Sequence, residues 1–383
     1  MTAAPAAVTL SQNPLLESVK VGHWQLAHRI VYAPLTRQRA IDNVPQPAAA
    51  TYYAQRATKG GLMISEATVV SAEGRGYAHT PGIWSKEQVE AWKPIIKAVH
   101  DKGAVFLCQL WHTGRASHPA FQEGGKDPVA PSAIAIPDAK VFLPDGSQAP
   151  YTKPRALDIS EIPARVDAFR QGARNALDAG FDGVEIHSAN GYLLDNFLKA
   201  SCNQRTDKYG GTIENRARFT LEVVDAVVKE VGDSQKVGIR FSPFYVLGAE
   251  DPHKNAVFTY VVEELNSRNL AYVHMIEPRK RGSEKEGSPS ALFDYTQRDQ
   301  NLSIFRIAYT GTFMVAGGHD RESGIQSLKT DRADLIVYGR HFLANPDFVK
   351  RIELNAPLNQ YDRTTFYSQD QEKGYTDYPY LEE

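Results

Sequence analysis

Eight short apolar segments recur along this chain of 383 residues, and most of them are followed by a segment with helical spacing. The eight segments do not alternate polar with apolar residues, which is typical of strands buried on both faces, and intervening helices make such strands parallel. Eight β/α units in this length predict an α/β chain folded as a closed (β/α)8 (TIM) barrel. The predicted strands cover residues 29–33, 62–67, 104–109, 183–187, 237–241, 272–276, 312–315 and 334–337, and the predicted helices cover 86–102, 162–179, 213–231, 255–268 and 324–330.

Two segments depart from this repeat. Residues 19–26 alternate around Gly22 before the first strand, which predicts a β-hairpin that plugs the bottom of the barrel. Residues 113–158 form a long loop rich in Pro, Gly and Ser after the third strand, and such a loop lies at the C-terminal mouth of a barrel. It could cover a site there or be a plain insertion. No linker divides the chain, so residues 1–383 are predicted to form one domain.

The composition argues against several classes of protein. Apolar residues make up 42% and charged residues 23%, and the net charge is −2, which argues against disorder, nucleic-acid binding and a polybasic membrane surface. No apolar run approaches the roughly 18 residues of a membrane-spanning helix, and the N-terminus lacks the pattern of a secretory signal. Cys108 and Cys202 are the only cysteines and lack metal-binding spacing, so we expect a cytoplasmic protein without a metal site.

Glycine and arginine follow the last two predicted strands. Gly317 and Gly318 come after the seventh strand, and Gly339 with Arg340 comes after the eighth. In (β/α)8 barrels these two loops commonly bind phosphate through backbone N–H groups, and an arginine adds a bidentate contact. The two motifs together predict a phosphate site, although two tight turns beside a surface arginine would give the same pattern.

Polar side chains also follow strands three, four and five. His187, Asn190 and Tyr192 lie within six residues of sequence at the end of the fourth strand, so that two donors can point at one ligand oxygen while a phenol stands beside them. That arrangement suits the stabilisation of an enolate and proton transfer to the neighbouring carbon. Gln109 and Arg240 end the third and fifth strands, where an amide and a guanidinium match the edge of a flat heterocycle that gains negative charge on reduction. Each of these side chains could instead satisfy backbone groups at the barrel mouth.

The sequence lacks the motifs of several other chemistries. It contains no Ser/His/Asp order, no His/Glu metal cluster, no Gly-x-x-x-x-Gly-Lys-Thr motif and no strand-borne Gly-x-Gly-x-x-Gly motif. The chemistry is therefore expected to come from a bound organic cofactor that carries a phosphate tail.

Several long motifs follow one another along the chain. They are Ala-Pro-Leu-Thr-Arg at 33–37, Pro-Gly-Ile-Trp-Ser at 81–85, Gln-Leu-Trp-His-Thr-Gly-Arg at 109–115, Asp-Gly-Val-Glu-Ile-His-Ser-Ala-Asn-Gly-Tyr-Leu-Leu at 182–194, Asn-Gln-Arg-Thr-Asp-Lys-Tyr-Gly-Gly at 203–211 and Gly-Tyr-Thr-Asp-Tyr-Pro at 374–379. These motifs resemble those of the Old Yellow Enzyme family, and the resemblance extends from about residue 13 to the C-terminus. Glu-Pro-Arg at 277–279 and Gly-Gly at 317–318 with Arg-Glu at 321–322 are most similar to the 12-oxophytodienoate reductase branch.

The resemblance implies an FMN-containing barrel that reduces the C=C bond of α,β-unsaturated carbonyl compounds with NADPH or NADH. The implied mechanism is ping-pong: the nicotinamide delivers hydride to flavin N5 and leaves, and an enone or enal then takes that hydride at its β-carbon. The protein orients and polarises the reactants while the flavin carries the redox chemistry. The expected partners are these small molecules, with no nucleic acid and no membrane, and the chain is expected to be a monomer or a homodimer.

The resemblance also implies roles for individual residues. His187 and Asn190 would hold the substrate carbonyl, and Tyr192 would be the proton donor. The isoalloxazine would contact Pro34, Thr36, Ala67, Gln109 and Arg240, the phosphate would contact Gly317, Gly318, Gly339 and Arg340, and the substrate pocket would be lined by Tyr77, Trp111, Phe366 and Tyr367.

Three other functions remain as alternatives. A 2,4-dienoyl-CoA reductase-like enzyme would carry a cysteine cluster and extra nucleotide domains. An isomerase or aldolase that binds a phosphate would need a lysine or a carboxylate as base at the mouth, where Glu277 is the candidate carboxylate. A flavin protein without turnover would not need Tyr192.

The chain departs from its branch at two places. Asn190 stands where many plant members have a second histidine. Arg279 or Arg281 could contact a substrate carboxylate, although a charged run is usually solvated.

Overall fold

A closed barrel of parallel strands forms the centre of the protein. The computed structural model describes residues 13–245, 247–278 and 301–382. The barrel strands are β1 (Ile30–Tyr32), β2 (Leu62–Ile64), β3 (Val105–Trp111), β4 (Gly183–Ser188), β5 (Val237–Phe241), β6 (Tyr272–Ile276), β7 (Phe313–Ala316) and β8 (Leu335–Tyr338). Each strand pairs with the next, and β8 pairs with β1, so the sheet closes. Every residue of β4, β5 and β6 is buried, which explains why the sequence shows no alternation. The predicted (β/α)8 barrel is confirmed.

Helices surround the barrel. The three longest lie where apolar spacing predicts them, within two residues at each end. In the part of the chain that the structure describes, five helices of five to nine residues escaped prediction, because so few turns give too few apolar positions to show a period; they are α1, α4, α7, α9 and α10 below. In chain order the helices are α1 (Ala48–Arg56), α2 (Lys86–His100), α3 (Ile162–Ala179), α4 (Leu193–Leu198), α5 (Ile213–Val231), α6 (Lys254–Asn266), α7 (Ser303–Ala308), α8 (Arg321–Lys329), α9 (Arg340–Ala344) and α10 (Phe348–Leu354).

The predicted hairpin closes the bottom of the barrel. Val19–Val21 pairs antiparallel with Trp24–Leu26. Gly22 makes the turn at φ +54°, and a Cβ there would lie 2.2 Å from the Gln235 carbonyl oxygen. Val21 and Leu26 are fully buried in one apolar cluster with residues of the barrel strands, among them Leu62, Tyr272 and Leu335. The plug is therefore held by apolar burial, as the alternating pattern predicts.

The loop from residue 113 to residue 158 has structure of its own. Lys140–Phe142 pairs antiparallel with Gln148–Pro150, and Val129–Ala130 pairs parallel with Arg155–Ala156. The sequence analysis predicted no strand here, because these short strands stand apart in a segment rich in Pro, Gly and Ser that shows little periodicity. Buried side chains of this loop form an apolar cluster that also contacts Tyr192, so the loop lies beside the C-terminal mouth of the barrel.

Two buried arginines after β1 anchor the C-terminal segment. Arg37 donates from Nη2 to the Gly374 carbonyl at 2.6 Å and from Nε to the Phe366 carbonyl at 3.1 Å. Arg39 donates from Nη2 to the Thr365 carbonyl at 3.1 Å, and its guanidinium lies 4.5 Å from the centre of the Tyr375 ring. These contacts bring the end of the chain back to the mouth. Within the described ranges, no helix is both long and apolar enough to span a bilayer.

Candidate active site

A tight turn after β4 brings the three predicted catalytic residues together. Asn190 and Gly191 both have left-handed backbone, with φ of +60° and +76°. The Asn190 N–H donates to Ser242 Oγ at 2.7 Å, and the Gly191 N–H donates to Asp195 Oδ2 at 2.8 Å. The chain therefore reverses between β4 and α4, and His187 at the end of the strand comes close to Tyr192 at the start of the helix.

Asp195 also forms a buried ion pair that fixes this turn. Its Oδ2 accepts from Lys199 Nζ at 2.9 Å, and the two side chains are 0% and 1% exposed. We expect Asp195→Asn to lower the free energy of unfolding by about 3–5 kcal/mol, because it leaves a buried ammonium without its counter-charge. Urea denaturation measures the change.

The matched control for that prediction is an exposed pair with the same spacing. Lys97 and Asp101 are 2.7 Å apart, but their side chains are 74% and 61% exposed. Asp101→Asn should change the free energy of unfolding by less than about 1 kcal/mol, since solvent screens such pairs. Equal losses in the two variants would contradict the importance of the buried pair.

Aromatic rings form the walls beside this turn. The Tyr77 and Trp111 rings stack with centroids 5.7 Å apart, and Tyr192 meets Trp111 edge-on at 5.0 Å. The His187 ring stands perpendicular to the Tyr192 ring with centroids 5.1 Å apart. Tyr192 donates from its hydroxyl to the Tyr77 hydroxyl at 3.4 Å, and Tyr77 shares a second contact of 3.4 Å with Tyr151. Tyr151 was missed by sequence reasoning because it lies in the irregular loop, far from any motif.

Burial sets the protonation of the two central groups. Burial, with Arg240 and His274 nearby, holds the pKa of His187 well below 6.5, so its ring is neutral near pH 7. His187 Nδ1 is buried and has no hydrogen-bond partner among the described residues. Burial raises the pKa of Tyr192, so its phenol stays protonated. The site thus offers a neutral imidazole and a protonated phenol, two groups that can serve a ligand oxygen and a carbon.

Gln109 and Arg240 lie on either side of β4. Gln109 on β3 pairs in register with Glu185, and Arg240 on β5 lies between His187 and His274. Pro34 and Thr36 follow β1 and Ala67 follows β2, and Ala67 packs against Trp111. Glu185 was missed by sequence reasoning, yet a signal exists: it precedes His187 by two residues, so both face the same side of the strand.

The loops after β7 and β8 come close together. Gly318 has φ +84°, and a Cβ on it would lie 3.7 Å from Arg340 Nη2. Gly317 precedes it, and Gly339 stands directly before α9, which begins at Arg340. A left-handed glycine lets a backbone N–H approach an anion closely, and the guanidinium supplies charge-assisted donors. These residues fit a phosphate group.

The C-terminal segment adds the last two predicted residues. Phe366 is half-buried with its ring 5.8 Å from that of Tyr361. Tyr367 is 55% exposed, and its phenol is close enough to help raise the pKa of Tyr192, after the larger effects of burial and of Tyr151. Arg279 and Arg281 lie outside the described residues. The structure thus brings the candidate catalytic and ring-edge residues to one mouth, with the glycine and arginine pairs beside them.

Comparison with known sequences decides the family. The sequence profile of the NADH:flavin oxidoreductase / NADH oxidase family matches residues 14–359. The chain belongs to this family. Family members that resemble it include 12-oxophytodienoate reductase 1 of Oryza sativa subsp. japonica, 51% identical over 100% of this chain and 97% of the relative. 12-oxophytodienoate reductase 2 of Arabidopsis thaliana is 50% identical over 96% of each chain.

Solved structures of the family agree with the fold. Morphinone reductase in complex with tetrahydroNAD superimposes with a TM-score of 0.87, at 43% identity over 96% of this chain and 98% of the other. The Old Yellow Enzyme homologue from Zymomonas mobilis gives a TM-score of 0.88 at 40% identity, over 96% of this chain and 99% of the other. The predicted Old Yellow Enzyme membership and 12-oxophytodienoate reductase-like branch are confirmed. So is an FMN-dependent NAD(P)H oxidoreductase that reduces activated C=C bonds.

Proposed function

We propose that this flavin oxidoreductase reduces enones and enals by a ping-pong mechanism, in which NAD(P)H and the substrate use the same pocket in turn. FMN, when bound, supplies the hydride that it has taken from NAD(P)H. The observation that carries the proposal is the placement of His187 and Tyr192 on one turn beside Trp111, with their rings perpendicular and the ring centroids 5.1 Å apart. This aromatic-walled site provides a carbonyl clamp and a proton donor next to each other.

The proposed roles follow from what each side chain can donate. His187 and Asn190 donate to the carbonyl oxygen, so that negative charge developing there as hydride arrives is stabilised. Because its imidazole is neutral, His187 does this by hydrogen bonding without transferring a proton. Tyr192, which stays protonated, gives its proton to the α-carbon. Tyr77, Trp111, Phe366 and Tyr367 shape the pocket around the C=C bond.

Steady-state kinetics test the shared pocket. With NADPH and 2-cyclohexenone varied together, we expect parallel lines in double-reciprocal plots and competitive inhibition by high enone against NADPH. Both results follow if the two ligands exclude each other from the pocket lined by Tyr77, Trp111 and Tyr192. Converging lines without such inhibition would show that both ligands bind together, and the single-pocket mechanism would be wrong.

The cofactor residues divide into a ring set and a phosphate set. We assign Pro34, Thr36, Ala67, Gln109 and Arg240 to the ring and Gly317, Gly318, Gly339 and Arg340 to the phosphate. The support is their common position at the barrel mouth and the approach of Arg340 to Gly318.

Arg340→Ala tests the phosphate assignment. Loss of a charge-assisted contact worth about 1.5–3 kcal/mol should weaken FMN binding about ten- to a hundredfold. Fluorescence quenching of FMN by the apoprotein measures the dissociation constant. Arg170→Ala is the control, since Arg170 lies on α3 and pairs with Glu230 at 2.6 Å on the outside of the barrel. Equal FMN affinity in both variants would contradict the assignment.

We also propose that the chain works as one domain, as a monomer or homodimer in the cytoplasm, with NADPH or NADH as donor. The near-neutral charge of −2 supports this setting, because it disfavours nucleic-acid and membrane partners. Light scattering after gel filtration would reveal any larger assembly. Comparing kcat/KM for the two nicotinamides assigns the donor.

A further inference from the structure

A carboxylate lies inside the barrel wall directly behind the residues assigned to the flavin ring. Glu185 is 0% exposed, as is His274, and Gln109 is 1% exposed. Gln109 donates from Nε2 to Glu185 Oε1 at 2.7 Å, and the other oxygen, Oε2, lies 2.9 Å from His274 Nδ1. Strand register places these three side chains on β3, β4 and β6, with Arg240 on β5 among them. No role proposed so far uses Glu185.

This contact fixes which end of the Gln109 amide faces the site. An ionised carboxylate only accepts hydrogen bonds, so the amide must turn its NH2 group toward Glu185. Its carbonyl oxygen is then presented on the other side, where it can accept from a ring N–H. A glutamine in place of Glu185 would offer both a donor and an acceptor, and the amide of Gln109 would lose its preferred orientation.

Glu185 is held in the ionised form that this role requires. Burial by itself would raise its pKa, but His274, Arg240 and the hydrogen bond from Gln109 together hold the pKa below its ordinary value. The same carboxylate therefore places a negative charge near Arg240. When the ring gains negative charge on reduction, the Glu185 carboxylate repels it and so offsets part of its attraction to the Arg240 guanidinium.

We propose that Glu185 is a positioning residue of the flavin site: it orients the Gln109 amide toward the ring and balances the charge of Arg240, and so lowers the reduction potential of bound FMN. This inference rests on the proposed assignment of Gln109 and Arg240 to the ring. It predicts two separate effects of Glu185. By orienting the Gln109 amide it strengthens the binding of FMN, and by its negative charge it lowers the reduction potential of bound FMN.

Glu185→Gln tests both effects in the FMN-loaded enzyme. We expect FMN binding to weaken about tenfold, because the Gln109 amide is no longer oriented. We also expect the equilibrium between oxidised and reduced FMN to shift at least tenfold toward reduction, which is about 30 mV for a two-electron couple. A merely structural role would not move the potential. Anaerobic titration against a redox dye of known potential measures it.

Glu185→Asp separates orientation from charge. It keeps the charge but withdraws the carboxylate by one methylene group, so FMN binding should weaken while the potential stays near that of the unchanged enzyme. Asp182→Asn is the matched control: Asp182 immediately precedes the same strand and accepts from the Phe106 N–H at 2.7 Å, and loss of its charge should change neither quantity. If Glu185→Gln does not fold, Glu185→Asp decides, because unchanged FMN affinity in it overturns the proposal.

The outcomes also distinguish this inference from the proposed function. Unchanged potential and affinity in a folded Glu185→Gln variant would overturn the role of Glu185 alone, provided that the unchanged enzyme binds FMN and reduces enone. An unchanged enzyme that fails to bind FMN would overturn the ring and phosphate assignments themselves.

Discussion

Tyr192→Phe is expected to slow the reduction of enone by about 10²–10⁴-fold, the usual contribution of a positioned general acid, and to leave the reduction of bound FMN by NADPH nearly unchanged. The reason is that only the enone step needs a proton from the protein. The Tyr192 hydroxyl is directed to Tyr77 at 3.4 Å, and burial raises its pKa, so the phenol is protonated at the pH of the assay. The substitution removes that proton and keeps the ring packed on Trp111.

Stopped-flow absorbance under anaerobic conditions separates the two half-reactions. Tyr77→Phe is the matched control, since it removes the neighbouring hydroxyl of the same pocket without removing the proposed donor. We expect it to slow enone reduction far less than Tyr192→Phe. A Tyr192→Phe enzyme whose two half-reactions slow by the same factor would contradict the proton-donor role.

His187→Ala is expected to lower the rate of enone reduction by about 10²–10³-fold, the cost of removing one donor to a developing oxyanion. Binding of phenolates, which mimic the enolate, should weaken in parallel. The neutral imidazole is 3% exposed, and its Nδ1 has no partner among the described residues, so this side chain has a donor or acceptor left for a ligand.

Phenolate titration followed by the long-wavelength absorbance of the complex measures the binding effect. His28→Ala provides a control, because His28 is also buried with a lowered pKa but contacts Thr58 at 2.8 Å near the barrel bottom. It should leave phenolate affinity unchanged. Unaltered phenolate affinity in His187→Ala would show that the carbonyl clamp lies elsewhere.

The fold was predictable from the sequence where its signal is local. A strand buried on both faces is a continuous apolar run, and a helix of 18 residues such as α3 shows its period several times. The hairpin was predictable because alternation and a glycine stand together within eight residues. Short helices such as α9, with five residues, and the two- and three-residue strands of the 113–158 loop gave no such signal.

The site residues that lie close together in the sequence were predictable, and the contacts that join distant parts of the chain were missed. His187, Asn190 and Tyr192 lie within six residues of sequence, so their proximity in space follows from the sequence alone. The contact of Gln109 with Glu185 joins residues 76 apart, and that of Arg37 with the Phe366 carbonyl joins residues 329 apart. A backbone carbonyl carries no side-chain signal, and strand register is known only once the barrel has closed.

The central claim is that an FMN bound at this mouth carries hydride from NAD(P)H to an enone. Its most direct test is the visible spectrum of the purified protein, followed anaerobically through addition of NADPH and then of 2-cyclohexenone. The account predicts a yellow protein that bleaches with NADPH and regains its colour with the enone. A colourless protein that FMN cannot reconstitute, or a bleached protein that cyclohexenone and other enones leave bleached, would contradict it.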